Sequence, residues 1–192
     1  MVSCARVNFG STKKNRSYAL PINQPHIFFM TESNEDQLSS HPRYNVLFLC
    51  QDNACCSIMA EALLRRWGGE DFTAFSAGTK PSSEVHPQAV SVLQMQRVWQ
   101  PELAPKDCKQ FFTPDAPRMD FVISLGEKPP ADLPGGWPGG VKPIHWRITE
   151  PLHAARPERT EQAFRRAFLE LENRIKLFVL VYQRDAMKRK AA

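Results

Sequence analysis

The chain is expected to fold as an α/β protein: a doubly wound, four-stranded parallel sheet with helices on both faces. Three observations point there. From residue 44 onward, short apolar runs alternate with segments of helical periodicity, the pattern of βαβ units. Two of those runs, Tyr44–Leu49 and Met119–Leu125, are nearly unbroken apolar stretches, as expected of strands buried on both sides. The chain also approaches its end in a long segment with a single apolar stripe, suited to lying across a sheet.

The elements follow in order. Tyr44–Leu49 is the first strand. Ser57–Trp67 is a helix, stopped by Gly68-Gly69, since glycine readily adopts the backbone that ends a helix. Phe72–Ala77 is the second strand, closed by Gly78. Pro87–Gln96 is the second helix, with Ala89, Val90, Leu93 and also Val92 candidates for its inner face. Residues 100–118 are Pro-rich and irregular, and Met119–Leu125 is the third strand. Residues 126–141 carry several glycines with Pro129, Pro130, Pro134 and Pro138, so a long loop is expected. Val141–Ile148 is the fourth strand, and Pro143 assigns it to a sheet edge because proline cannot donate to the ladder. Pro157–Tyr182 is the last helix, with Phe164, Phe168, Leu171, Ile175 and Phe178 on its core stripe.

Three regions result: a disordered basic N-terminal extension over 1–43, a folded domain over 44–183 and a basic tail over 184–192. The extension is rich in Ser, Asn, Pro and basic residues, and Met30 is expected as the true start because everything recognisable lies after it. The net charge of +5 says little about partners. Arg6, Lys13, Lys14 and Arg16 supply most of it, so the domain is almost neutral. Nucleic-acid binding is disfavoured, because no recognition motif accompanies the basic residues. No stretch reaches the roughly 20 apolar residues of a membrane span. The cysteines do not resemble a secreted disulfide framework: Cys50, Cys55 and Cys56 crowd into one short segment. A reducing, cytoplasmic setting is expected.

That segment carries the chemistry. The first strand runs into Cys50-Gln51-Asp52-Asn53-Ala54-Cys55-Cys56, and the loop opens directly into the helix that begins near Ser57. In parallel sheets, ligands bind beyond the carboxyl ends of the strands, which is where Cys50 falls. A helix start presents unpaired N–H groups and a partial positive charge, favourable to an oxyanion. The same field is expected to lower the pKa of Cys50. Ser57 is placed to support the thiolate, and Asn53 tolerates the left-handed backbone that a tight anion loop requires.

These residues resemble the low-molecular-weight protein tyrosine phosphatases, and more closely the thiol-dependent arsenate reductases related to them. The family signature is Cys, five residues, then Arg-Ser, followed by a helix that begins much like Ile58-Met59-Ala60-Glu61-Ala62. The resemblance extends through Phe75-Ser76-Ala77-Gly78, Val85-His86-Pro87, Lys106, Pro117–Val122, Trp137-Pro138-Gly139, His145-Trp146 and Ala163–Phe168, covering about residues 44–180. It implies a nucleophilic Cys50, an oxyanion loop of Gln51, Asp52, Asn53, Ala54 and Cys55, and a general acid at Glu150, where the family has an aspartate before proline. It implies phosphate or arsenate as ligand, no cofactor, and thioredoxin, glutaredoxin or glutathione as reductant if the chain is active.

The chain departs from that pattern at three positions. Cys56 stands where the family has the arginine that clamps the oxyanion with two parallel hydrogen bonds. Asp52 adds a negative charge, and Glu150 is one methylene longer than aspartate. A unit charge about 4 Å away is worth roughly 4 kcal/mol at an effective dielectric near 20, on the order of a thousandfold in rate. The resemblance therefore implies a family member with weak or absent turnover. Two alternatives stay open: an active arsenate reductase in which Cys55 or Cys56 resolves the Cys50 adduct, and an arsenite or soft-metal protein using Cys50, Cys55 and Cys56. The segment that supplies a resolving thiol in many arsenate reductases reads Leu125-Gly126-Glu127 here. Cys108 is expected to be an incidental free thiol.

Overall fold

The computed structural model describes residues 43–133, 136–151 and 160–190, with side chains as far as Arg184. All of these belong to one compact unit, residues 40–192. Most of the expected extension over 1–43 lies outside the described residues, as do 152–159, where the last helix was expected to begin.

The first strand, β1 (Tyr44–Cys50), lies inside a four-stranded sheet of order β2-β1-β3-β4, with β2 at Phe72–Gly78, β3 at Phe121–Gly126 and β4 at Ile144–Arg147. Every pairing is parallel. β1 pairs with β2 from Tyr44 opposite Phe72 to Cys50 opposite Gly78, and with β3 from Val46 opposite Phe121 to Leu49 opposite Ser124. The unbroken apolar run in β1 has a direct cause. Val46 and Phe48 enter one core cluster, and Leu47 and Leu49 enter another on the opposite face.

The faces are covered unequally. Helices α1 (Cys56–Gly68), α2 (Pro87–Met95) and α3 (Thr160–Lys190) all contribute to the first cluster. The second is closed by a short 3-10 helix, Cys108–Phe112, together with Met119 and Trp137. This 3-10 turn lies within the stretch expected to be irregular, and it buries Cys108 and Phe111. Helix α1 is buried almost all round, from Cys56 to Leu64, because it lies between the sheet and the other two helices. In α2 the inner residues are Ala89, Val92 and Leu93, while Val90 is only half-buried. The 3.6-residue period selects positions three and four apart, so Val92 takes the place expected for Val90.

Two strands are shorter at their starts than expected. β3 begins at Phe121, because Asp120 turns aside to receive the Asn45 N–H at 2.8 Å and donates its own N–H to the Asn45 carbonyl at 2.9 Å. β4 begins only after Pro143, at the sheet edge, where a residue without an N–H costs least. Helix α3 continues past Tyr182 to Lys190. Its Phe164, Phe168, Leu171 and Ile175 are buried, and Phe178 packs with Phe72, Phe121 and Trp146 at ring separations of 5.5, 5.2 and 5.9 Å. Among the described residues, no helix is long and apolar enough to cross a membrane.

Candidate functional site

The loop from Cys50 to Cys55 joins the carboxyl end of β1 to α1. Its outer side is fixed by the segment after β2: the amides of Thr79, Lys80, Ser82 and His86 donate to the carbonyls of Cys50, Gln51, Asp52 and Ala54 at 3.1, 2.8, 2.8 and 2.9 Å. Gly78 is required for this approach, since a Cβ there would lie 2.7 Å from the Gln51 carbonyl oxygen. With those carbonyls drawn outward, two loop amides are committed to the inside. Asn53 N–H donates to Cys50 Sγ at 3.1 Å, and Ala54 N–H donates to Asp52 Oδ1 at 3.2 Å. Asn53 has φ +49°, the left-handed conformation expected of it.

Behind the loop lies a buried polar network. The Asn53 side-chain amide donates to Ser57 Oγ at 2.8 Å and to Ser76 Oγ at 3.0 Å, and its oxygen accepts from the Lys106 amide at 2.7 Å. The Ser57 hydroxyl, with its oxygen already accepting from Asn53, lies 2.9 Å from Cys50 Sγ. Ser76 in turn donates to Glu61, a carboxylate on α1 that is 1% exposed and balanced by Arg65 and by Lys106 Nζ at 3.2 Å. Sequence reasoning assigned no role to Glu61, Ser76 or Lys106. The available signal was a glutamate in the middle of an otherwise apolar helix segment, which must find partners when buried.

The thiol does not behave as expected. The pKa of Cys50 is pushed well up rather than down. Burial is the main cause, since only 5% of the residue is exposed, and the Asp52 carboxylate acts in the same direction. The Ser57 hydroxyl and the Asn53 amide favour the thiolate but are outweighed. The expectation of a lowered value rested on the helix-start field and omitted the cost of desolvating a charge.

Cys55 and Cys56 are also buried, at 4% and 2% exposure. The Cys56 thiol is raised, first by a hydrogen bond with Cys55, then by burial, and further by Cys55, Cys50 and Glu150. The three loop thiols therefore share one neighbourhood, with Glu150 close enough to act on it. Glu150 is half-buried and covers Gly126, where an added Cβ would meet its Oε1 at 2.6 Å. With Gln51, Glu127, Lys128 and Pro129-Pro130 it lines a cleft of ≈ 350 Å³. Cys108 is apart from this group, buried with Leu47 and Leu49 in the second core cluster.

The described cations are largely engaged elsewhere. Arg65 is held by Glu61, Gln100 and Glu102, Lys80 by Asp132 and Lys106 by Glu61, while Arg118 packs on Gly139. Lys128 lines the cleft on an exposed side chain. Among the described residues, no group of three or more His, Cys, Asp and Glu side chains is arranged to hold a metal ion.

A strand, a cysteine loop and a helix thus meet at the carboxyl end of a parallel sheet. The family model for low molecular weight phosphotyrosine protein phosphatase matches residues 45–191, and the chain belongs to that family. Within it, the chain is similar to arsenate reductases. It is 31% identical over 136 residues to the arsenate reductase of Bacillus licheniformis, covering 69% of this chain and 93% of the relative. It is 29% identical over 134 residues to that of Halalkalibacterium halodurans, covering 69% and 93%. The crystal structure of arsenate reductase from Archaeoglobus fulgidus superposes with a TM-score of 0.55 at 27% identity, over 70% of this chain and 98% of that one.

Proposed function

We propose that this chain is an oxyanion-loop protein of the phosphatase and arsenate reductase family in which turnover of arsenate and aryl phosphates is weak or absent. One observation carries the reading: the position of the loop arginine is held by Cys56, whose neutral side chain is buried in the core cluster. The groups bonded to Cys50 Sγ are a carboxylate, an amide and a hydroxyl. None of them supplies the positive charge that a transferring oxyanion requires. Lys128 at the cleft wall is a single ammonium on an exposed stem, a poor substitute for a fixed planar fork.

The test is a direct comparison. Assayed beside the Bacillus licheniformis enzyme, the full chain is expected to hydrolyse para-nitrophenyl phosphate, and to reduce arsenate with thioredoxin or glutaredoxin and glutathione, at least about a hundredfold more slowly than that enzyme reduces arsenate. Reduction at a comparable rate would overturn the reading.

A second reading is favoured by the Cys55–Cys56 contact beside Cys50. In this scheme Cys50 displaces water from arsenate to form a thiol–arsenic(V) adduct. The thiol of Cys56 or Cys55 then attacks the Cys50 sulfur, releasing arsenite and leaving a disulfide. Arsenic gains two electrons, and two thiols lose them. Loss of two free thiols per arsenate would support this scheme; an unchanged thiol count would end it.

A further inference from the structure

Two hydrogen bonds within the loop meet on one oxygen of Asp52. Its Oδ1 accepts the Ala54 amide at 3.2 Å, and the same oxygen accepts the Cys50 thiol at 3.3 Å. A carboxylate oxygen thus rests between the nucleophile and a loop N–H. It mimics one oxygen of a bound phosphate, in charge and in hydrogen-bonding role. The Asn53 amide is spent on the sulfur, so both amides known to turn inward are already used by the loop itself.

We infer that Asp52 is an internal ligand of the oxyanion loop: its carboxylate occupies the cup in place of an external anion, held by the Ala54 amide and the Cys50 thiol. The inference rests on reading residues 50–56 as an oxyanion cup, and adds to that reading a second obstacle independent of Cys56. The two act differently. Cys56 withholds a charge that the transition state needs, whereas Asp52 blocks the resting site against any dianion and keeps the sulfur a poor nucleophile. A dianion placed beside Asp52 would meet a like charge within a few ångströms, in a setting where the sulfur has almost no water to screen it. Replacing Cys56 alone would then restore little, because the arginine would first pair with Asp52 rather than with a ligand.

The test reads the sulfur directly and does not depend on turnover. In the full chain, alkylation of Cys50 by iodoacetamide at pH 8, followed by peptide mass spectrometry, is expected to be slow. In Asp52→Ala it is expected to accelerate on the order of tenfold or more, the effect of removing one neighbouring negative charge from a thiol. Inorganic phosphate should slow alkylation of the variant at concentrations that leave the native rate unchanged. Asp52→Asn keeps an acceptor for the Ala54 amide without the charge. It should show the same acceleration, and it covers the case in which the alanine variant fails to fold. Equal Cys50 reactivity in the native chain and in whichever variants fold would overturn the inference, whatever the activity assays show. Cys56→Arg completes the comparison: phosphatase activity gained with Cys56→Arg in the Asp52→Ala background should exceed that gained with Cys56→Arg alone by at least about tenfold. Equal gains in the two backgrounds would likewise overturn it.

Discussion

At the scale of single residues, Asn53 determines the shape of the loop. Its backbone occupies the left-handed region at φ +49°, and its buried side chain donates to Ser57 and Ser76 while accepting from Lys106. Alanine is disfavoured in that conformation by about 1–2 kcal/mol, and it would leave the Lys106 amide without this acceptor. Asn53→Ala is therefore expected to cost about 2–4 kcal/mol, measured by urea unfolding. Asn53→Gly relieves the backbone but not the bonds and should cost less. Equal losses in the two variants would show that backbone conformation contributes nothing. The residues nearest the sulfur are legible in the sequence to different degrees. The left-handed Asn53 and the Ser57 contact follow from residue type and spacing. The direction of the Cys50 pKa shift does not, because it depends on how much water the fold removes.

At the scale of elements, α3 holds the layer above the sheet. Phe164 stacks on His86 with ring centres 4.8 Å apart, and His86 anchors the Ala54 carbonyl, so one end of α3 braces the site. Towards its other end, Phe178 and Tyr182 join Tyr44, Phe72 and Phe121 in an aromatic cluster at the starts of the strands. The opposite face of the helix carries Leu169, 54% exposed. Leu171→Ala, at a position with no exposure, should cost about 2–5 kcal/mol. Leu169→Ala should change stability by no more than about 0.5 kcal/mol. Denaturant titration of both variants checks the assignment of faces, and a large loss at Leu169 would contradict it.

For the molecule as a whole, the buried thiols link stability to pH. Cys50 and Cys56 are both raised above the ordinary thiol value of 9.0. The unfolded chain therefore loses these protons at lower pH than the native protein does. Their contribution is fully present below about pH 9 and is lost as pH rises beyond it, since the native state then binds more protons than the unfolded one. Urea unfolding at pH 7 and pH 10 is expected to show a larger loss in the native chain than in a Cys50→Ser, Cys56→Ser variant. Identical losses would show that the thiols ionise freely in the fold.

The sequence by itself determined the parallel α/β architecture, the order of its elements and the place of the cysteine loop at the end of β1. Those features are written in local runs and periods: Val46–Leu49 had to be buried on both faces, and a strand leading through a short loop into a helix has few other places to go. Only the tertiary structure decided the rest. Glu61 finds Lys106 across 45 positions of chain, Asp52 turns its carboxylate inward onto Ala54 and Cys50, and burial reverses the pKa shift that the helix start alone would impose on the sulfur. Each depends on charges and solvent brought together by packing, and desolvation outweighs the local field once the water is gone.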